Sequence, residues 1–167
     1  MYVDVALGAL VLVVHEASIA TNAGEGGQVV DMRVSVLGEA RIRVPYLDDV
    51  AHYRKLLSRY VQLDLVQARD ADAVAKQLPQ GAYVCLLDPD GQMYDSVAFS
   101  ELLQERRLDG RHLAFVLGGA FGAPQLPRVD RRLSLGPMTL PHQLAWVVLL
   151  EQLYRAHKII AGEPYHH

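Results

Sequence analysis

Glu151 and Arg155 stand four residues apart in an otherwise apolar stretch, the spacing that places two side chains on one face of a helix. Leu144 and Val148 lie one and two turns earlier on that face. One reading is a structural ion pair. In a helix covered on all sides an unpaired charge is costly, so the pair must be satisfied across an interface or kept for a substrate. Two glycine-bearing loops offer a different chemistry. Gly118-Gly119 follows an apolar run and lets a ligand approach the backbone closely. It departs from G-x-G-x-x-G, so it makes a poor phosphate cradle. Residues 135–140, L-G-P-M-T-L, form an uncharged loop in which Gly136 and Pro137 force special dihedrals and Thr139 is placed to cap the helix that follows. Exposed amides and carbonyls beside Leu135, Met138 and Leu140 suit a neutral, flat, hydrogen-bonding ring such as adenine.

Other reactive side chains carry less. The seven histidines are scattered, without the H-x-x-x-H or Cys/His spacing a metal would require; His166 and His167 read by themselves as a tag remnant or a metal lure. Cys85, the single cysteine, sits in an apolar run, which excludes a disulfide framework and fits a buried thiol in a reducing cytoplasm. Arg128, Arg131 and Arg132 cluster before the last strand, a run that is either simply solvated or, doubled by dimer symmetry, able to hold an RNA backbone. The net charge of -3 argues against binding nucleic acid by bulk electrostatics.

The elements that must position these residues follow from hydrophobic periodicity. Residues 32–37 and 61–66 alternate as half-buried strands, whereas 82–87 and 112–117 are continuous apolar runs typical of parallel strands buried on both faces. Residues 47–60 form a helix with one solvated side, and 70–78 a short helix capped by Asp70. The turn signal Asp88-Pro-Asp-Gly91 is expected to end the third strand, and Ser96 to cap a helix ending at Asp109-Gly110. The last helix, entered at Thr139, is apolar on nearly every side and needs a second cover, which a second copy of the chain would supply. This alternation predicts an α/β domain with a mainly parallel sheet, and makes the loops 88–91, 118–122 and 135–140, at the carboxyl ends of strands, the joint candidates for ligand binding. Ahead of it, the apolar run 5–14 lacks the basic flank of a signal peptide and is too short to span a membrane. With the Gly-rich stretch 21–28 it reads as an extension, residues 1–30, before a domain of residues 31–167.

Three segments, F-V-L-G-G-A-F-G, L-S-L-G-P-M-T-L-P-H-Q-L and L-L-E-Q-L-Y-R-A-H-K-I-I-A-G-E-P-Y-H, together resemble the ribosomal RNA large subunit methyltransferase H family, pseudouridine N3-methyltransferases of the SPOUT superfamily. The resemblance implies a SPOUT-type α/β fold with a C-terminal trefoil knot, a homodimer with active sites at its interface, and S-adenosylmethionine held by three knot loops. It implies as substrate a pseudouridine of large-subunit rRNA within the assembled ribosome, in the cytoplasm, with no metal and no membrane. Carried onto this chain, the cofactor residues are Leu87, Gly118, Gly119, Leu135, Gly136, Pro137, Met138, Thr139 and Leu140. Arg155, Tyr165 and His166 would position the base, with His142 or His166 assisting loss of the N3 proton. Phe121 stands where the family commonly has an acidic residue, and Trp146 where it often has Arg. Those departures keep open two alternatives, a catalytically silent RNA-binding dimer and a methyltransferase acting on tRNA. Pro164 to His167 is expected to fold back as part of an active site.

Overall fold

A computed structural model describes residues 32–39, 41–119 and 122–165. The expected extension, Phe121 and the tail residues His166 and His167 lie outside the described residues. Five strands, β1 (Arg33–Gly38), β2 (Gln62–Gln67), β3 (Tyr83–Met93), β4 (Leu113–Leu117) and β5 (Arg131–Ser134), form one sheet in the order β2-β1-β4-β3-β5, with every pair parallel. Four helices alternate with them: α1 (Tyr46–Leu57), α2 (Ala71–Lys76), α3 (Ser96–Asp109) and α4 (His142–Ile160).

The two-residue period of the strands sorts the core into two layers. Val34, Val36, Tyr83, Cys85, Leu113, Phe115 and Leu117 point to the face covered by α1, α3 and α4. Leu37, Val84, Leu86, Ala114 and Val116 point to the other, covered by α2 and by Leu126 and Val129 of the segment joining β4 to β5. Both layers are apolar, which is why 82–87 and 112–117 read as unbroken hydrophobic runs. Cys85 is wholly buried and its thiol is pushed up to about 12 by that burial, so it behaves as a small hydrophobe.

Several local expectations hold. Asp70 caps α2 by accepting the Ala73 N–H at 2.8 Å, and Gly110 closes α3 in the left-handed region at φ 65°. Others do not. Asp95, not Ser96, caps α3, accepting the Ala98 N–H at 2.8 Å; Ser96 instead donates its hydroxyl to Gln152 Oε1 of α4 at 3.0 Å. Asp88 does accept the Asp90 N–H as a turn former would, yet β3 continues through the turn to Met93 with a register shift between Leu87 and Gln92. The cause is β5: a Cβ on Gly91 would lie 2.7 Å from the backbone of Leu133, so this segment is pressed against a neighbouring strand rather than free in solvent.

The last helix begins three residues later than expected. Pro141 occupies its N-cap with no side-chain bond, and Thr139 is exposed and caps nothing. Within the chain α4 lies between α1 and α3, burying Trp146, Leu149, Leu150, Leu153 and Ala156, the larger of these side chains worth about 1.5–3 kcal/mol each. Every one of its residues is at least half-buried. Trp146 is a core residue whose indole rests on Gly38, where an added Cβ would approach it to 3.0 Å. That position therefore contributes packing and no RNA contact.

Candidate functional site

The carboxyl ends of β4, β3 and β5 are neighbours in the sheet, about 4.8 Å apart, so Leu87, Gly118-Gly119 and residues 135–140 emerge side by side. Behind β4 the chain closes a tight two-way bridge, Gly119 N–H to Gly122 O at 3.0 Å and Gly122 N–H to Gly119 O at 3.1 Å. A Cβ on Gly118 would meet Gly122 O at 2.8 Å, so this close return of the chain requires glycine at position 118. Behind β5, Gly136 takes φ 139° and its N–H donates to Ser134 Oγ at 3.2 Å, while that hydroxyl donates to Gly136 O at 3.0 Å. Leu135 and Gly136 line a cavity of about 200 Å³ whose walls include Tyr94, Leu133, Val148 and Gln152. Pro137, Met138 and Thr139 are exposed, Met138 being 79% accessible, and Leu140 is half-buried.

From the cavity a line of polar contacts runs along α4. Gln152, held by Ser96, donates to Glu151 Oε2 at 2.5 Å; Glu151 Oε1 accepts from Arg155 Nε at 3.0 Å and Nη2 at 2.6 Å. Arg155 Nη1 then donates to Tyr165 O at 3.3 Å, and its guanidinium lies 5.0 Å from the centre of the Tyr165 ring. Tyr165 meets Tyr154 edge-on at 4.9 Å. The Glu151 carboxylate beside it raises the Arg155 pKa further, while burial, then Tyr165 and Glu151, push Tyr53 to about 12. The chain end up to Tyr165 is thus folded back on α4. Glu151 and Arg155 form the ion pair that their spacing allows, and both keep surface open to a ligand.

The expected catalytic set is not brought together within one chain. Arg155 and Tyr165 are in contact, but His142 opens α4, thirteen residues and about 20 Å of helix from Arg155. His166 lies outside the described residues. The arginine cluster is no free cationic patch either: Arg128 pairs with Asp130, Arg132 with Asp88, and Arg131 donates to Tyr83 Oη at 3.1 Å, to Gln92 and to Tyr94. The Asp130 carboxyl also accepts the Val84 N–H at 2.9 Å; burial opposes its ionisation, but that bond and Arg128 hold its pKa below the ordinary range. The cluster therefore fastens the β4–β5 segment to the sheet. Tyr94, Gln152 and Tyr53 were missed because nothing in their sequence neighbourhoods marks them; only the packing of α3, β3 and α1 on α4 puts them at the site. Among the described residues no group of three or more His, Cys, Asp or Glu is placed to hold a metal ion, and no helix is long and apolar enough to cross a membrane.

Comparison with known proteins agrees with this architecture. The family model described as "Predicted SPOUT methyltransferase" matches residues 32–166. Proteins named "Ribosomal RNA large subunit methyltransferase H" are similar over most of the chain. The one from Gemmatimonas aurantiaca is 47% identical over 120 residues, covering 71% of this chain and 78% of its own length. That from Solidesulfovibrio magneticus is 42% identical over 153 residues, covering 81% and 98%. That from Ruminiclostridium cellulolyticum is 35% identical over 158 residues, covering 81% and 99%. With a parallel α/β sheet, three adjoining strand-end loops and these relatives, the chain belongs to the ribosomal RNA large subunit methyltransferase H family of the SPOUT superfamily.

Proposed function

We propose that this protein transfers a methyl group from S-adenosylmethionine to N3 of a pseudouridine in the large-subunit (23S) rRNA of the assembled ribosome, acting as a cytoplasmic homodimer. Membership of the family carries with it the C-terminal trefoil knot, an exception to the usual unthreaded connections. The observation that carries the reading is the continuity between two chemistries. The uncharged, glycine-bearing loop behind β5 lines, through Leu135 and Gly136, a cavity from which hydrogen bonds lead through Gln152 and Glu151 to Arg155 and Tyr165.

The residues fit the cofactor. Its adenine is neutral and hydrogen-bonding, as are the amides and carbonyls of residues 135–140, and the Gly118 turn offers backbone that a side chain would block. Leu87, Gly118, Gly119 and residues 135–140 would hold it. When bound, the group supplies an electrophilic methyl on a sulfonium, so the protein needs no metal and has to align the nucleophile and help N3 lose its proton. Arg155, kept charged by Glu151, is suited to stabilise the developing negative charge on the base, and Tyr165 offers a ring for the base to lie against. His142, about 20 Å of helix from Arg155 in one chain, would serve the same site only from the second copy of the proposed homodimer.

Radiolabelled methyl transfer to intact ribosomes, isolated subunits and tRNA in parallel tests the proposal. Label in ribosomal RNA of intact ribosomes is the expected result; label in tRNA alone, or in no RNA despite measurable cofactor binding, would overturn it. The silent-dimer reading loses one of its two grounds, since Trp146 is buried in the core.

A further inference from the structure

α4 ends in a reversal built on glycine. The Gly162 N–H donates to Ile159 O at 3.0 Å and the Glu163 N–H to Lys158 O at 2.9 Å, with Gly162 in the left-handed region at φ 66°. This pair of bonds closes a helix and turns the chain back on itself. Only Glu163 and Pro164 then separate the turn from Tyr165, whose carbonyl accepts from Arg155 Nη1 at 3.3 Å. A segment so near the end of a chain frays unless it is tied down. Glu163 supplies the tie: Oε1 accepts from Tyr60 Oη at 2.9 Å, and Oε2 from Lys158 Nζ. Lys158, and after it Tyr60, hold the Glu163 carboxyl below its ordinary pKa, so it stays ionised at neutral pH.

The two partners of Glu163 are unequal. Lys158 reaches it on a flexible stem, and an ion pair open to water contributes little because both long side chains lose freedom in making it. Tyr60 is already fixed. Its ring lies flat against that of buried His157 and meets Tyr154 edge-on at 6.1 Å, so its hydroxyl points at Glu163 with little rotamer freedom left to lose. Tyr154 in turn meets Tyr165 at 4.9 Å. This aromatic row starts at the amino edge of the sheet, where Tyr60 precedes β2, whereas the candidate cofactor loops leave the carboxyl edge. We infer that Tyr60 and Glu163 are positioning residues, a latch that holds the chain end so that Tyr165 is seated on Arg155. They act through Tyr165, at the edge of the sheet remote from the cofactor loops.

That role depends on the transfer reaction proposed above, and the test separates the two. Tyr60→Phe keeps the ring on His157 and removes only the hydroxyl. In this variant hydrogen exchange of the segment 159–165 should quicken, and methyl transfer to intact ribosomes should fall about fivefold, the worth of one net hydrogen bond. Calorimetric affinity for S-adenosylmethionine and the thermal midpoint should not change. Glu163→Ala should behave alike, and the double variant should be no worse than the poorer single one, since both break the same contact. Glu163→Gln, which keeps an oxygen for Tyr60 to donate to, should recover most of the activity, and Lys158→Gln should lose less than Tyr60→Phe. Unchanged exchange or unchanged transfer in Tyr60→Phe would overturn the inference. So would losses that multiply in the double variant, a Glu163→Gln no better than Glu163→Ala, or a fall in thermal midpoint that accounts for the lost activity. Absence of transfer by the wild-type protein would instead overturn the proposed function, with the exchange comparison still deciding whether the latch holds the chain end.

Discussion

Acidification should destabilise this protein through His157. The ring is buried near the end of α4, stacked on Tyr60 at 5.6 Å with an interplanar angle of 10°, and its Nε2 finds no partner among the described residues. Burial, reinforced by Arg107, depresses its pKa from 6.5 to about 4. The unfolded chain therefore takes up the proton first. Stability from this group is complete above pH 6.5 and is lost as the pH falls toward 4. The full separation corresponds to about 3 kcal/mol, of which about 2 kcal/mol is expressed at about pH 5. Urea unfolding at about pH 7.5 and about pH 5, at one fixed protein concentration, measures the loss. In His157→Phe, which keeps a ring against Tyr60, the pH-dependent loss should shrink by about 2 kcal/mol. His112, whose pKa is also lowered by burial, and the carboxylates titrate alike in both proteins, so the difference isolates His157. An identical loss in wild type and variant would refute the reasoning.

Three further outcomes follow from particular contacts. Gly91→Ala should cost at least about 2 kcal/mol in urea unfolding, because its Cβ would meet the β5 backbone, which cannot step aside as a flexible side chain can. Asp130→Ala should cost about 2–3 kcal/mol, since it leaves the Val84 N–H unpaired and Arg128 without its partner; a change within experimental error would show that the segment is held by its apolar contacts alone. Arg155→Lys keeps the charge but loses the forked contact with Glu151, so methyl transfer should fall by about tenfold or more while calorimetric cofactor affinity is retained; loss of cofactor affinity instead would place Arg155 among the cofactor residues.

Most of the sheet was legible because β1 and β2 alternate and β3 and β4 begin as short apolar runs, patterns that depend on local composition. The caps at Asp70 and Gly110 were legible for the same reason: both are interactions within a few residues of chain. Expectations failed wherever a distant element competed. β5 pulls β3 through its own turn, and Gln152 takes the Ser96 hydroxyl, leaving the cap to Asp95. The arginine cluster shows the same limit, since a run of three basic residues looks identical whether or not Asp88, Asp130 and Tyr83 stand opposite.

The sequence by itself determined the α/β class, the glycine turn behind β4, the loop 135–140 and, by resemblance, the family. These reside in local patterns and in motif order. Only the tertiary structure decided that α4 packs between α1 and α3, that Trp146 belongs to the core, and that His142 stands about 20 Å along the helix from Arg155. It also decided that Glu39, some eighty residues before Gly119, lies against that glycine's backbone. The physical reason is common to all of these: they depend on which strands the sheet makes neighbours, and parallel pairing joins segments far apart in the chain.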